Sequence, residues 1–317
     1  MELSIIIPYH NEGIEFIITT INSVKDSIDV DSYEIIVVDD CSTNPLEQIE
    51  GVTVLRQNEN LGVGAAYDRG VKEAKSENLF IMGSDIRFIK NKWASQLVTE
   101  IENHPKAFTC TSCIAISKKN MNIEERRLQN VVNGATILMF HDKKSNPTQS
   151  ETFRSIIEAK WLPRVKNRDI DSVELPCILG AAYGVKKSWF EYVDGWTGHK
   201  KWGTLEPMMS LKSWLFGGSC RIATRIETAH IFKEYGTHGT PQHVLFYNKM
   251  LVATLLLDDY QRLIDFFGTN ETVEKAKKLY DDNLDFIMSK KEEYKSKIVY
   301  DYLDFFKRFK IDYRLSE

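Results

Sequence analysis

Apolar residues in this chain come as short β-branched runs separated by stretches of helical period. Residues 3–8 are an Ile-rich run closed by Pro8, which predicts a buried strand. Over residues 11–26, Ile14, Ile17, Ile18, Ile21 and Val24 recur at helical spacing. Strands are predicted again over 33–38, 52–56 and 78–82, with a helix over 62–74 before the last. Strand and helix thus alternate through the first 82 residues. This predicts an α/β fold of βαβ units around a mainly parallel sheet flanked by helices.

Further along, strand character returns at 176–185 and 221–226. A helix is predicted over 207–216, stopped by Gly217-Gly218. From His243 the chain reads as two or three amphipathic helices. One apolar stripe holds Leu251, Leu255, Tyr260, Leu263, Phe266 and Phe267, and such aromatic stripes are mostly core. The expected division is a catalytic domain over 1–242 and a C-terminal helical appendage over 243–317.

Parallel sheets bind ligands beyond the carboxyl ends of their strands. Polar clusters sit at three such ends: Tyr9-His10-Asn11-Glu12, Asp39-Asp40 and Ser84-Asp85. One cluster would be ordinary turn chemistry. Three in succession point to a site.

Composition narrows the class. With 43% hydrophobic and 27% charged residues in 317, the chain is neither disordered nor a disulfide scaffold. A net charge of −4 excludes a generally basic nucleic-acid coat. Residues 118–171 are the exception, with eleven basic side chains against seven acidic. That stretch reads as a solvated insertion or as a face for an anionic acceptor. No apolar run approaches the ~20 residues of a membrane span, and no signal peptide is expected. Five cysteines, an odd number, suggest reduced thiols and a cytoplasmic setting; Cys110 and Cys113 are expected to be core thiols.

Several ordered segments carry a family likeness. Ser-Ile-Ile-Ile-Pro-Tyr-His-Asn-Glu at 4–12, Glu-Ile-Ile-Val-Val-Asp-Asp-Cys-Ser-Thr at 34–43 and Asn60-Leu-Gly-Val-Gly-Ala-Ala resemble glycosyltransferase family 2. Gly180-Ala-Ala-Tyr-Gly-Val-Lys-Lys-Ser-Trp-Phe resembles that family's acceptor-side strand and helix. Trp202-Gly-Thr-Leu-Glu-Pro-Met-Met-Ser-Leu-Lys-Ser-Trp and Ala229-His-Ile-Phe-Lys are similar to segments of polypeptide N-acetylgalactosaminyltransferases. The likeness spans residues 1 to about 235 and implies a Rossmann-like GT-A nucleotide-sugar fold.

The resemblance also implies roles. Pro8, Tyr9, Glu12, Asp39, Asp40, Ser84 and Asp85 would line the donor site, with Asp40 accepting the N3–H of uracil. Asp85 and His230 would bind Mn²⁺ or Mg²⁺ on the diphosphate of a UDP-sugar. Gly83 stands where the family has its first metal-motif acid, and Tyr67 where relatives often carry arginine, with Arg69 nearby. Glu206 is the candidate base, although a charge at a helix start is also its ordinary role. Stereochemistry stays open, because the N-acetylgalactosaminyltransferases retain configuration and need no such base. Trp196 and Trp202 are either sugar platforms or core. The loop 233–242 is a candidate lid. The implied acceptor is a glycan, a wall polymer, a protein or hydroxymethylated phage DNA. The rival from another class is a catalytically inactive binding or scaffold protein. A nucleotidyltransferase is disfavoured, since no Gly-rich basic loop follows the first strand.

Overall fold

The computed structural model describes residues 1–88, 92–116, 134–139, 156–162, 172–179, 181–231, 239–311 and 313. The strands Leu3–Tyr9 (β1), Tyr33–Asp39 (β2), Thr53–Arg56 (β3) and Asn78–Met82 (β4) form where the apolar runs place them. Ile14–Lys25 (α1) and Val63–Glu73 (α2) are the helices among them. Helix α1 begins after residue 11 because Gly13 enters it at φ +96°, a conformation side chains disfavour. β1 pairs in parallel with β2 and β4, and β2 with β3.

The sheet is completed by Ile86–Phe88 (β5), Ala107–Ala115 (β6), Ser172–Glu174 (β9), Ala182–Lys186 (β10) and Ser219–His230 (β11). Its order is β3-β2-β1-β4-β10-β6-β11-β5, with β9 also on β11. β10 is antiparallel to β4 and β6; β11 is parallel to β6 and antiparallel to β5 and β9. The sheet is therefore parallel through its N-terminal block and mixed beyond it. Ala135–Leu138 (β7) and Glu158–Trp161 (β8) form a separate antiparallel pair.

Two strand expectations shift. Of 176–185 only the end becomes β10, since Cys177 bridges outward to Ala135. The strand expected over 221–226 is twelve residues long, because a bulge between Ala223 and Glu227 lets one strand continue along β6 and reach β5.

Successive residues of β1 serve opposite layers. Ile5 and Ile7 pack with Ile17, Ile21 and Val24 of α1 and with Leu97 and Ile101 of Ala94–Asn103 (α3). Ile6 packs into the other layer, with Val71 of α2, Trp189 of Lys187–Tyr192 (α4) and Met208 of Leu205–Leu215 (α5). Cys110 and Cys113 lie three residues apart in β6, so they face opposite ways and cannot act as a pair. Both are buried thiols outside any disulfide, and burial pushes the Cys110 pKa up to about 12.

After residue 241 the described chain forms five helices and a π-helical turn, more than the stripe suggested. They are Gln242–Val252 (α6), Tyr260–Phe267 (α7), Glu271–Asp281 (α8), Leu284–Lys297 (α9) and Tyr302–Phe309 (α10), with Ala253–Leu257 as the turn. Asp258 at φ +50° breaks the stripe, and the Asn270 and Asp301 side chains cap α8 and α10. Phe246, Leu251, Leu263, Tyr294 and Phe305 share one apolar cluster with the α5 face of the sheet. Among the described residues, no helix is long and apolar enough to cross a membrane.

A polar knot holds α9 to this layer. Asp194 accepts a bond from the Tyr294 hydroxyl at 2.8 Å and pairs with Lys290 at 2.9 Å. Burial alone would raise the Asp194 pKa, but Lys290, Tyr294 and the nearby Lys212 outweigh it and hold it below the usual carboxylate range. The fully buried Lys212 ammonium donates to the Gly195 carbonyl at 2.8 Å and lies 4.8 Å over the Tyr294 ring. Asp194→Ala strands these donors and is expected to cost roughly 2–3 kcal/mol in urea denaturation. Because the Asp194 pKa is depressed on folding, its contribution is present at neutral pH and lost as pH falls through the folded value.

Candidate active site

The carboxyl ends of β1, β2 and β4 lie side by side, with Tyr9 level with Asp39. Pro8 is buried within β1 opposite Val38. Tyr9 is also buried, which raises its pKa, and it lines a cleft of about 390 Å³ with Asn11, Asn44, Pro45 and Leu46. Glu12 bridges inward: its Oε2 accepts from the His10 N–H at 2.6 Å and its Oε1 from the Ser84 hydroxyl at 3.1 Å. The polar turns after β1 and β4 are thereby joined.

Asp39 and Asp40 organise the turns around this rim. Asp39 accepts from the Ser42 N–H at 2.8 Å, the Leu46 N–H at 3.1 Å and the Arg56 guanidinium. Burial would raise its pKa, but these bonds outweigh the effect and hold it low. Asp40 Oδ1 accepts from the Gln57 amide at 2.7 Å and the Leu61 N–H at 2.8 Å. Its Oδ2 accepts from the Gly62 N–H at 2.7 Å and the Asn60 amide at 3.1 Å. Four donors fill the four lone-pair sites of that carboxylate. Gly62 is the N-cap of α2, so Asp40 also supplies the negative charge a helix start favours. The oxygens assigned by sequence to a pyrimidine are thus engaged with the protein's own loop.

Asp85 and His230 are brought together by strand pairing. His230 pairs with Ile86 across β11 and β5, and the Ile231 N–H donates to the Asp85 carbonyl at 3.0 Å. The His230 Nε2 then lies 3.4 Å from Asp85 Oδ1, and both side chains retain some solvent exposure. Gly83 matters here for what it lacks: a Cβ built on it would come within 2.6 Å of Asp85 Oδ1. The Asp85 carboxylate leans over the Gly83 backbone. A carboxylate and an imidazole are a donor set that fits Mn²⁺ or Mg²⁺, with further positions left for phosphate oxygens or water. Among the described residues no third His, Cys, Asp or Glu completes a protein-only cage.

Glu206 lies in the first turn of α5, and its Oε1 accepts from the Tyr183 hydroxyl at 3.0 Å. Burial raises the Glu206 pKa, the Tyr183 bond lowers it in part, and Glu158 and His230 act on it through space. Tyr67 is buried, and its phenol feels Asp85, Glu206 and Glu12 together. The structure therefore collects Glu12, Tyr67, Ser84, Asp85, Tyr183, Glu206 and His230 at one end of the sheet. Tyr183 escaped the sequence reading, because within an apolar strand nothing local distinguishes it from core. Arg69 is spent on Glu73 at 2.6 Å, away from this cluster. Trp196 is core, its indole N–H bonded to the Leu205 carbonyl and its ring 5.1 Å from Tyr67. Trp202 is 42% exposed on the loop before α5. Most of 118–171 and of the 233–242 loop lies outside the described residues.

A family model for glycosyl transferase family 2 matches residues 4–161. Residues 4–161 form a glycosyl transferase family 2 domain. It is 25% identical over 304 residues to polypeptide N-acetylgalactosaminyltransferase 5 of Caenorhabditis elegans, covering 88% of this chain and 46% of that protein. To the human polypeptide N-acetylgalactosaminyltransferase 10 it is 25% identical over 274 residues, covering 82% and 43%. The chain thus spans a little under half the length of these curated relatives. Among solved structures it superposes on GalNAc-T7 with UDP, GalNAc and Mn²⁺ at a TM-score of 0.68, with 18% identity, covering 89% of this chain and 54% of that one. Staphylococcus aureus TarS (residues 1–349) with UDP-GlcNAc gives 0.53, with 14% identity and 84% and 70% coverage. The chain has the GT-A fold of these neighbours.

The geometry separates framework from chemistry at Asp40. Asp40→Ala is expected to lower stability by roughly 3 kcal/mol with no nucleotide present, because four donors lose one charged acceptor. Urea denaturation of the unliganded variant checks this, and wild-type stability would contradict the framework role.

Proposed function

We propose that this chain transfers a sugar from a UDP-sugar to an acceptor hydroxyl with the help of a divalent cation. The observation that carries the reading is the 3.4 Å approach of His230 to Asp85 at the carboxyl rim of the sheet. These two side chains would hold Mn²⁺ or Mg²⁺. When bound, such a cation supplies positive charge to the departing diphosphate. Tyr9 and the adjoining cleft offer a place for the nucleoside, with Asp39 and Asp40 shaping its walls. Glu12 and Ser84 fix the turn that presents Asp85. Glu206, its pKa raised by burial, would accept the proton of the acceptor hydroxyl.

The names of the relatives and neighbours support an N-acetylhexosamine on the donor. The acceptor is a hydroxyl of a glycan, polymer, protein or modified base. Five cysteines outside any disulfide support a reducing compartment such as the cytoplasm.

Thermal unfolding with UDP-GalNAc and UDP-GlcNAc, with and without Mn²⁺, tests the donor site. At about 100-fold excess over Kd, nucleotide sugar and Mn²⁺ together are expected to raise the Tm by roughly 5 °C. Asp85→Ala and His230→Ala are expected to remove the Mn²⁺-dependent part of that rise while still folding. A wild-type protein that no nucleotide shifts would favour a non-catalytic binding role instead.

A further inference from the structure

Three hydrogen bonds run from the Asp85 turn to Glu206. The Gly83 N–H donates to the Ala181 carbonyl at 2.8 Å. The Ala181 N–H donates to the Tyr183 hydroxyl oxygen at 3.2 Å. The Tyr183 O–H donates to Glu206 Oε1 at 3.0 Å. Ala181 holds a left-handed conformation, φ +54°, that costs an L-residue roughly 1–2 kcal/mol. Its two backbone groups are tied at both ends of the relay, one to the Asp85 turn and one to the phenol.

The direction of the last bond is fixed by the one before it. A phenol has one proton to give. Because its oxygen already accepts from Ala181, that proton is free to point at Glu206. The Tyr183 ring is buried in the apolar layer beside α5, so it cannot swing away with solvent. Glu206 by itself sits on the first turn of a helix, where a flexible side chain has several rotamers open to it.

We infer that Tyr183 is a positioning residue which locks the Glu206 carboxylate in place for proton acceptance and ties its location to the Asp85 turn. The inference rests on the reading of Glu206 as proton acceptor. It assigns Tyr183 no contact with the donor. Among the described residues, the titratable groups around Glu206 are Tyr183 on β10, Tyr67 on α2, Glu158 on β8, His230 on β11 and Cys177 before β10. Of these, Tyr183 is the one bonded to the carboxylate through its side chain.

The test is Tyr183→Phe, which keeps the ring and removes the hydroxyl. The reaction is Mn²⁺-dependent UDP release from UDP-GalNAc or UDP-GlcNAc, in which water takes the acceptor's place. The kcat is expected to fall about tenfold, the size of one charge-assisted hydrogen bond, with KM for the nucleotide sugar unchanged. The acid limb of the pH–rate profile is expected to move to higher pH, because Glu206 loses a bond that favours its ionised form. Substituting 3-fluorotyrosine at 183 keeps the hydroxyl and strengthens it as a donor, so the limb is expected to move the other way. The carboxyl ¹³C resonance of Glu206, assigned by its loss in Glu206→Gln, reports the same two displacements without any turnover.

If Glu206→Gln is fully active, the proton-acceptor reading fails and the role of Tyr183 in it falls too. If Glu206→Gln is impaired while Tyr183→Phe matches wild type in kcat, acid limb and ¹³C titration, the positioning role alone is overturned.

Discussion

The rim chemistry depends on β11 reaching β5. That antiparallel contact sets the His230 imidazole 3.4 Å from the Asp85 carboxylate, although the two residues belong to distant parts of the chain. A diphosphate concentrates negative charge, and a sheet edge crowded with Glu12, Asp85 and Glu206 would repel it. A cation shared by Asp85 and His230, as proposed above, would reverse the local sign, as bound ions do in such sites. The bulge after Ala223 is what makes the reach possible, since it lets β11 leave one register on β6 and take up another.

Around this contact, most acidic groups build the frame. Asp39 and Asp40 spend their lone pairs on backbone and side-chain donors of neighbouring turns. Buried carboxylates persist only when their charge is met this way. Glu12 and Ser84 connect one turn to the next, and Ala181 connects the Asp85 turn to β10. Glu206 stands apart, because one neutral donor meets it from a side chain and burial raises its pKa. The proton-accepting role proposed for Glu206 would draw on that imbalance.

The parallel block could be read from the chain because β1, β2 and β4 are short apolar runs that stop at polar turns, and each signal is local. His230 was reached through resemblance alone. Periodicity suggested a strand only as far as 226, and a bulge erases alternation. The donors around Asp40 come from residues 57–62, whose path over it is tertiary and cannot be read locally. Tyr183 was invisible for a related reason: its meaning lies in Ala181 behind it and in Glu206 on another element. The C-terminal helices were under-divided, although Asn270 and Asp301 are caps that local reading can find.

Electron spin echo measurements on Mn²⁺ bound with UDP test the shared-cation claim most directly. The account predicts a directly coordinated ¹⁴N coupling from one imidazole together with ³¹P couplings from the diphosphate, the nitrogen signal vanishing in His230→Ala. A nucleotide-bound Mn²⁺ with no ¹⁴N coupling, or one that keeps it without His230, would contradict the account.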